Sequence, residues 1–443
     1  MKGRVRWLLQ ELPDLVDQGV LDERNAKKLH DHYLPHLDGA SLGRRFLVVL
    51  GALLMGMGVI LLIAHNWPQW TREMRTVICF LPLVLGQILA AWTLLRRPDS
   101  VSWREGSGSF LFLAIGACIA LIEQTWHLGT QNYAGFLLTW ALLGLPLVYL
   151  LRASTPLMLY WAGLIALSWA MQRQWGQALL FWPLWLAGLP HVVIHLRRAA
   201  WSWCSLMLSW AACLSLIVGA ASALERSVPG LWIMIYAGLF TGIYLTHYRW
   251  LRRAPDVLRS PFQIIGVTGV IGLAMLLTFD GPWQRIGGDY LRSNWQYREM
   301  AGLFDYVVLG AILFWWLGLI RRVLRRRDLL QFVYASLPLV VVGLYSLAVW
   351  DGPVWVNLVV MNLYLLLLGV MTLREGMQGQ HPVALNVGLL ILCSLLMLRF
   401  FDSQLSFTVR GIAFLAIGAG FLAASSYLRR RLDRLERQER SAA

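Results

Sequence analysis

Residues 46–97 read FLVVLGALLMGMGVILLIAHNWPQWTREMRTVICFLPLVLGQILAAWTLLRR. Two apolar stretches, each about twenty residues long, flank a short segment that holds Trp67, Trp70, Arg72 and Arg75. Arg96 and Arg97 close the second stretch. Hydrocarbon offers backbone N–H and C=O groups no partner, so a stretch of this length crosses it as a self-bonded helix. Tryptophan favours the headgroup layer, and arginine favours the cytoplasmic side. The passage therefore reads as one helix going out and a second coming back.

The same alternation continues to Leu428 and gives about 14 expected spans. They lie near 46–64, 76–95, 109–127, 134–151, 155–171, 177–196, 201–222, 230–248, 261–279, 302–320, 330–350, 354–373, 382–400 and 408–428. The expected fold class is all-α: a polytopic helical membrane protein with a short N-terminal cytosolic helical hairpin. Expected organisation is a hairpin over 1–42, a multi-span domain over 43–428 and a basic tail over 429–443.

Composition agrees. The chain of 443 residues is 58% hydrophobic and only 14% charged, with a mean hydropathy of +0.57. A net charge of +15 could point to nucleic acid, but the basic residues sit in short loops and at the two ends, as positive-inside topology requires. Nucleic acid is excluded as the expected partner. Only Lys2, Lys27 and Lys28 are lysines. The five cysteines fall in apolar stretches without a C-x-x-C pair, which argues against disulfides and zinc. No apolar signal segment precedes the first span, which is expected to direct insertion itself.

With the N-terminus cytosolic, inward connections carry Arg96, Arg97, Arg104, Arg152, Arg197, Arg198, Arg249, Arg252, Arg253, Arg259, the run from Arg321 to Arg327, and Arg374. Outward ones carry Arg72, Arg75, Arg173, Arg226, Arg285, Arg292 and Arg298. The bias holds along the whole chain, so both termini are expected in the cytosol. At the N-terminus, Val5, Leu8, Leu12 and Val16 share one helical face until Gly19 interrupts. Asp22 then caps a second helix with Ala26, Leu29, Tyr33 and Leu37 on one side. This hairpin and the basic tail can contact membrane lipids or a cytosolic or membrane protein partner.

The hairpin stretch LVDQGVLDERNAKKL, residues 15–29, is followed by LGALLMGMGVILLIAHNW, residues 50–67. Together with Glu123 and LTWALLGLPLVYLLR, residues 138–152, this resembles the bacterial predicted-membrane-protein family known as domain of unknown function 2157. The closing VRGIAFLAIGAGFLAASSYLRRR, residues 409–431, is similar to other uncharacterised multi-span proteins. The resemblance implies a bacterial inner-membrane protein and supplies no activity.

Polar groups within spans ask for a partner or a purpose. Glu123, Gln124 and His127 end the third span, Gln131 and Asn132 follow, and His65 and Asn66 end the first on the same side. Glu123 and His127 are one helical turn apart. If these ends meet, the seven residues form an outward substrate-binding pocket for a cation, a sugar or a headgroup. The competing reading is that Glu123 only fixes packing.

His191 and His195, also a turn apart, resemble half a metal site without further ligands. They are expected to snorkel at the inner interface, and no metal or cofactor is expected. Arg399 and Asp402 are expected to pair, and the glycines at 51, 56, 58, 411, 418 and 420 to mark packing faces. The outer loop 280–301 is a candidate lid. No P-loop, H-E-x-x-H or G-x-S-x-G is present. An enzyme is disfavoured. Transport or handling of a small or lipid-linked substrate is the leading expectation, and a non-catalytic scaffold or sensor is the alternative. The sequence sets no oligomeric state.

Overall fold

A computed structural model describes residues 11–12, 15–16, 19–33, 65, 67–126, 132–224, 230–250, 260–284, 286, 300–326, 328–378 and 382–400, plus isolated positions between 408 and 419. Among these residues every regular element is a helix. The chain divides into two compact units, 1–79 and 80–443.

In the first unit, Gly19 takes the left-handed conformation at φ 72°. It lets the backbone fold back, so that Val20 and Leu21 N–H donate to the Leu15 carbonyl. Helix α1, Glu23–Tyr33, then starts after Asp22, with Ala26 and Leu29 less exposed than the residues between them. The interruption at Gly19 and a helix starting after Asp22 are as expected, whereas most of the first expected helix and Leu37 lie outside the described residues. The first expected span, 46–64, lies outside the described residues. A 3-10 turn, Trp67–Gln69, leads into α2, Arg72–Arg96, which passes from the first unit into the second at Phe80. Arg75 lies over the Trp67 ring and donates to the Pro68 carbonyl at 3.2 Å.

In the second unit the helices are α3 Val101–Trp126, α4 Tyr133–Leu151, α5 Thr155–Trp175, α6 Phe181–Ala199 and α7 Trp203–Ala223. After them come α8 Leu231–Trp250, α9 Pro261–Leu276, the short α10 Gly281–Gln284, and α11 Met300–Arg326. The last four are α12 Leu329–Ala335, α13 Leu337–Val349, α14 Val354–Gln378 and α15 Pro382–Phe400. Helices α3 to α7 pack as one group around α5, and α8 is the hub of a second group with α9, α11 and α13. The groups meet where α7 packs on α9.

Each expected span from the second to the thirteenth coincides with a helix or, for the eleventh, with a broken pair. The break falls at Ser336 because Pro338 has no N–H to continue the ladder. The last expected span lies mostly outside the described residues. There an added Cβ on Gly411 or Gly418, expected on a packing face, would meet no atom of the described residues.

Seven stretches among the described residues are long and apolar enough to cross a membrane: α2, α3, α4, α7, α14, Leu303–Arg325 in α11 and Leu329–Val349 across the break. Stretches in α9 and α15 are apolar but shorter. Helices α5, α6 and α8 fall short through His, Gln, Arg, Tyr and Trp rather than through length. Two of them have interior faces: Tyr160, Trp161, Leu164 and Ser168 of α5 and Ile233, Ile235 and Ala237 of α8 are almost fully buried. A helix surrounded by protein does not have to be lipid-soluble. The described segments thus belong to an all-helical membrane protein with an apolar exterior and a mostly apolar core that holds scattered buried polar groups.

Backbone contact between α14 and α15 needs two glycines. A Cβ on Gly376 would lie 2.3 Å from the Leu385 nitrogen, and one on Gly388 would lie 2.5 Å from the Leu373 nitrogen. The two helices therefore lock reciprocally, each through a missing side chain.

Candidate functional site

The residues expected in an outward pocket have separate fates. Glu123 is half-buried and Gln124 exposed, both on the last turns of α3. Asn132 is exposed and caps α4, its Oδ1 accepting from the Gly135 N–H at 2.9 Å. His65 is exposed in the other unit. Asn66, His127 and Gln131 lie outside the described residues. The antiparallel packing of α3 and α4 puts Glu123, Gln124 and Asn132 at one end of the helix group.

At that end, α4 and α5 enclose a groove of about 350 Å³ lined by Tyr133, Ala166, Trp169, Ala170, Arg173 and Gln174. The Gln174 Oε1 accepts from the Ala134 N–H at 2.7 Å, tying the end of α5 to the start of α4. Ala166, Ala170 and Arg173 follow one face of α5 at helical spacing. The two alanines leave room, and Tyr133 and Trp169 form exposed aromatic walls. A larger cavity of about 560 Å³ between α9 and α15 is lined by Met275, Phe279, Leu390, Cys393, Ser394, Met397 and Leu398. Its lining has almost no polar group and suits only hydrocarbon.

The opposite end, rich in arginine, holds an arrangement the sequence did not suggest. Helix α4 stops at Arg152, which takes the left-handed conformation at φ 49° and donates its N–H to the Val148 carbonyl. Pro156 lies in the first turn of α5. Ser154 stands at the helix start, yet its own side chain does not cap it. The cap comes from Glu105 on α3. Its two carboxylate oxygens accept from the Ser154 N–H at 2.8 and 2.9 Å, and one of them accepts from the Thr155 N–H at 2.6 Å. A carboxylate at a helix N-terminus meets both unpaired donors and the positive end of the dipole. Gly108, one turn further along α3, permits the approach: an added Cβ would lie 3.0 Å from Pro156 and 3.1 Å from Leu151.

Released from capping, the Ser154 hydroxyl meets two imidazoles. His191 Nε2 lies 3.2 Å away and His195 Nε2 3.4 Å away. The rings are 4.6 Å apart, and His191 is only 5% exposed. The snorkelling expected of this pair is therefore corrected: the histidines turn inward because a buried hydroxyl offers them a partner. The Cys204 thiol also bonds to Ser154, and Glu105 is close enough to act electrostatically on His191, His195 and Cys204. Among the described residues no cluster of His, Cys, Asp and Glu has the geometry to hold a metal ion.

Between the two ends, buried polar contacts continue through the helix group. Trp185 Nε1 donates to Ser215 Oγ at 2.9 Å, bridging α6 and α7. Ser168 Oγ lies 2.5 Å from Ser222 Oγ and donates to the Gly219 carbonyl at 3.0 Å, bridging α5 and α7. Ser154 with the two histidines toward one end, and Trp185 with Ser215 and Ser168 with Ser222 toward the other, make a column of separate buried polar contacts with apolar residues such as Trp161 and Leu164 between them.

The second helix group repeats the pairing of a buried histidine with a helix-starting serine. His247 Nδ1 lies 2.7 Å from Ser260 Oγ. Tyr244 stacks on Tyr334, whose hydroxyl is 3.2 Å from Thr372 Oγ1. Arg399 donates to the Thr278 carbonyl at 2.5 Å, and Asp402, expected as its partner, lies outside the described residues.

Comparison with known proteins covers the first part of the chain. No curated protein and no solved structure matches it. The model of the family described as predicted membrane protein, DUF2157, matches residues 13–158, so the family resemblance holds from just before Gly19 to the first turn of α5 and takes in Glu105, Glu123, Asn132 and Ser154.

Proposed function

We propose that this chain carries or handles a small or lipid-linked substrate, entered from the outer face of a bacterial inner membrane through the polar end around Glu123, Gln124 and Asn132. Both termini, the hairpin over 1–42 and the basic tail over 429–443, face the cytosol. The observation that carries the proposal is the buried polar column through α5, α6 and α7. Serines alone serve helix packing, but two histidines and a tryptophan N–H buried with them ask for a further purpose. A carrier needs such groups to line a route that opens and closes.

Hydroxyl-radical footprinting of the purified full chain in lipid nanodiscs tests this. Water along the column generates radicals in place. Trp185 and His191 are expected to oxidise several-fold faster than Trp283, which is also buried, in the second helix group. Oxidation no faster than that of Trp283 would mean a dry column. The scaffold or sensor reading, resting on the hairpin and tail, would then replace the carrier.

A further inference from the structure

We infer that the groove between α4 and α5 is a binding site for an amphiphile with a phosphate headgroup. This rests on the proposed outward handling of a substrate and names its chemical class. Arg173 makes no ion pair or hydrogen bond to another described residue, yet it lines a mostly apolar cavity. A cation beside hydrocarbon with no counter-charge among the described residues suits an anion from outside the chain.

Three further features favour phosphate on an apolar tail. The N-terminus of α4 points its positive dipole end into the same region. The donors at Ala134 and Gly135 are already taken by Gln174 and Asn132, so the helix contributes field rather than hydrogen bonds, and Arg173 is left as the donor. Tyr133 and Trp169, 57% and 42% exposed, are amphipathic rings suited to the headgroup boundary. Below Arg173, Ala170 and Ala166 leave a channel along α5 for an acyl or prenyl chain. A free phosphate would use Arg173 and ignore the channel, and a neutral lipid would use the channel and ignore Arg173.

Native mass spectrometry of the full chain from neutral detergent measures this directly. The probes are phosphatidylglycerol, a polyprenyl monophosphate and, as neutral control, diacylglycerol. The proposal expects adducts with one or both phosphate lipids well above diacylglycerol. Which one binds tells a bilayer phospholipid from a lipid-linked carrier. Arg173→Gln is expected to reduce the adduct about tenfold, the loss of one charge-assisted contact. Arg173→Lys is expected to restore part of it. Ala166→Phe fills the channel from an exposed position and is expected to reduce binding while leaving Arg173 in place. Equal adducts in wild type, Arg173→Gln and Ala166→Phe, or no preference over diacylglycerol, would overturn the site. Radical labelling of the column reports separately on the carrier reading, so a labelled column with no phosphate-lipid adduct sinks this inference alone.

Discussion

Glu105 and Ser154, 49 residues apart in the chain, meet through both carboxylate oxygens of the first and the backbone N–H of the second. The contact fixes where α3 stands against the turn between α4 and α5. Because it uses Ser154 backbone rather than side chain, cap and hydroxyl can be tested separately. Glu105→Ala is expected to lower stability by about 1–3 kcal/mol, the range for losing charged hydrogen bonds at a helix start. Ser154→Ala keeps the cap and is expected to cost about 1 kcal/mol or less. Denaturant titration in mixed micelles, followed by tryptophan fluorescence, checks the order. A larger loss in Ser154→Ala would show that the histidine contacts, not the cap, hold the turn.

Asn357 on α14 is fully buried, and neither its Oδ1 nor its Nδ2 has a hydrogen-bond partner among the described residues. Burying an amide without partners is costly, whereas an apolar side chain of like size loses nothing there. Asn357→Leu is therefore expected to leave the melting temperature unchanged or raise it, by up to about 2 kcal/mol of stability. A clear drop would mean that the amide is engaged in the folded protein.

Gly388 admits no side chain without moving the backbone at Leu373. Overpacking of this kind costs roughly 1–3 kcal/mol. Gly388→Ala is expected to destabilise by that amount, measured by the same titration. Gly310, whose added Cβ would meet nothing, serves as control, and Gly310→Ala is expected to be neutral or slightly favourable.

Orientation is testable on intact cells. A cysteine placed between Asp280 and Met300, in a background lacking the native thiols, is expected to react with an impermeant maleimide added outside. One placed beside Arg197 is expected to react only after the membrane is opened. The opposite pattern would invert the topology and move the Arg173 groove to the cytoplasmic face.

The helices were legible because hydropathy and arginine position are local signals. Residues 101–126, 133–151 and 354–378 stand out by composition alone. The break at Ser336 was less visible, since Leu329–Val349 is apolar throughout and only Pro338 betrays it. The cap at Asn132 was also local, an Asn immediately before an apolar run. Reading it as part of a binding pocket overlooked the helix start it serves. Glu105 could not be read in this way. It sits beside Arg104 in what looks like an ordinary cytoplasmic connection, and its partners lie on a turn that only the packing of α3 and α5 brings near. His191 and His195 were visible as a pair, but Ser154, 37 and 41 residues away, carried no signal.

The reciprocal glycines of α14 and α15 have a mechanical consequence. To slide one helix past the other by a turn, Leu385 would have to be driven through the backbone at Gly376 while Leu373 met Gly388 in the opposite sense. That pair is a clutch without slip. Any rearrangement this molecule undergoes must leave the two as a single stiff strut.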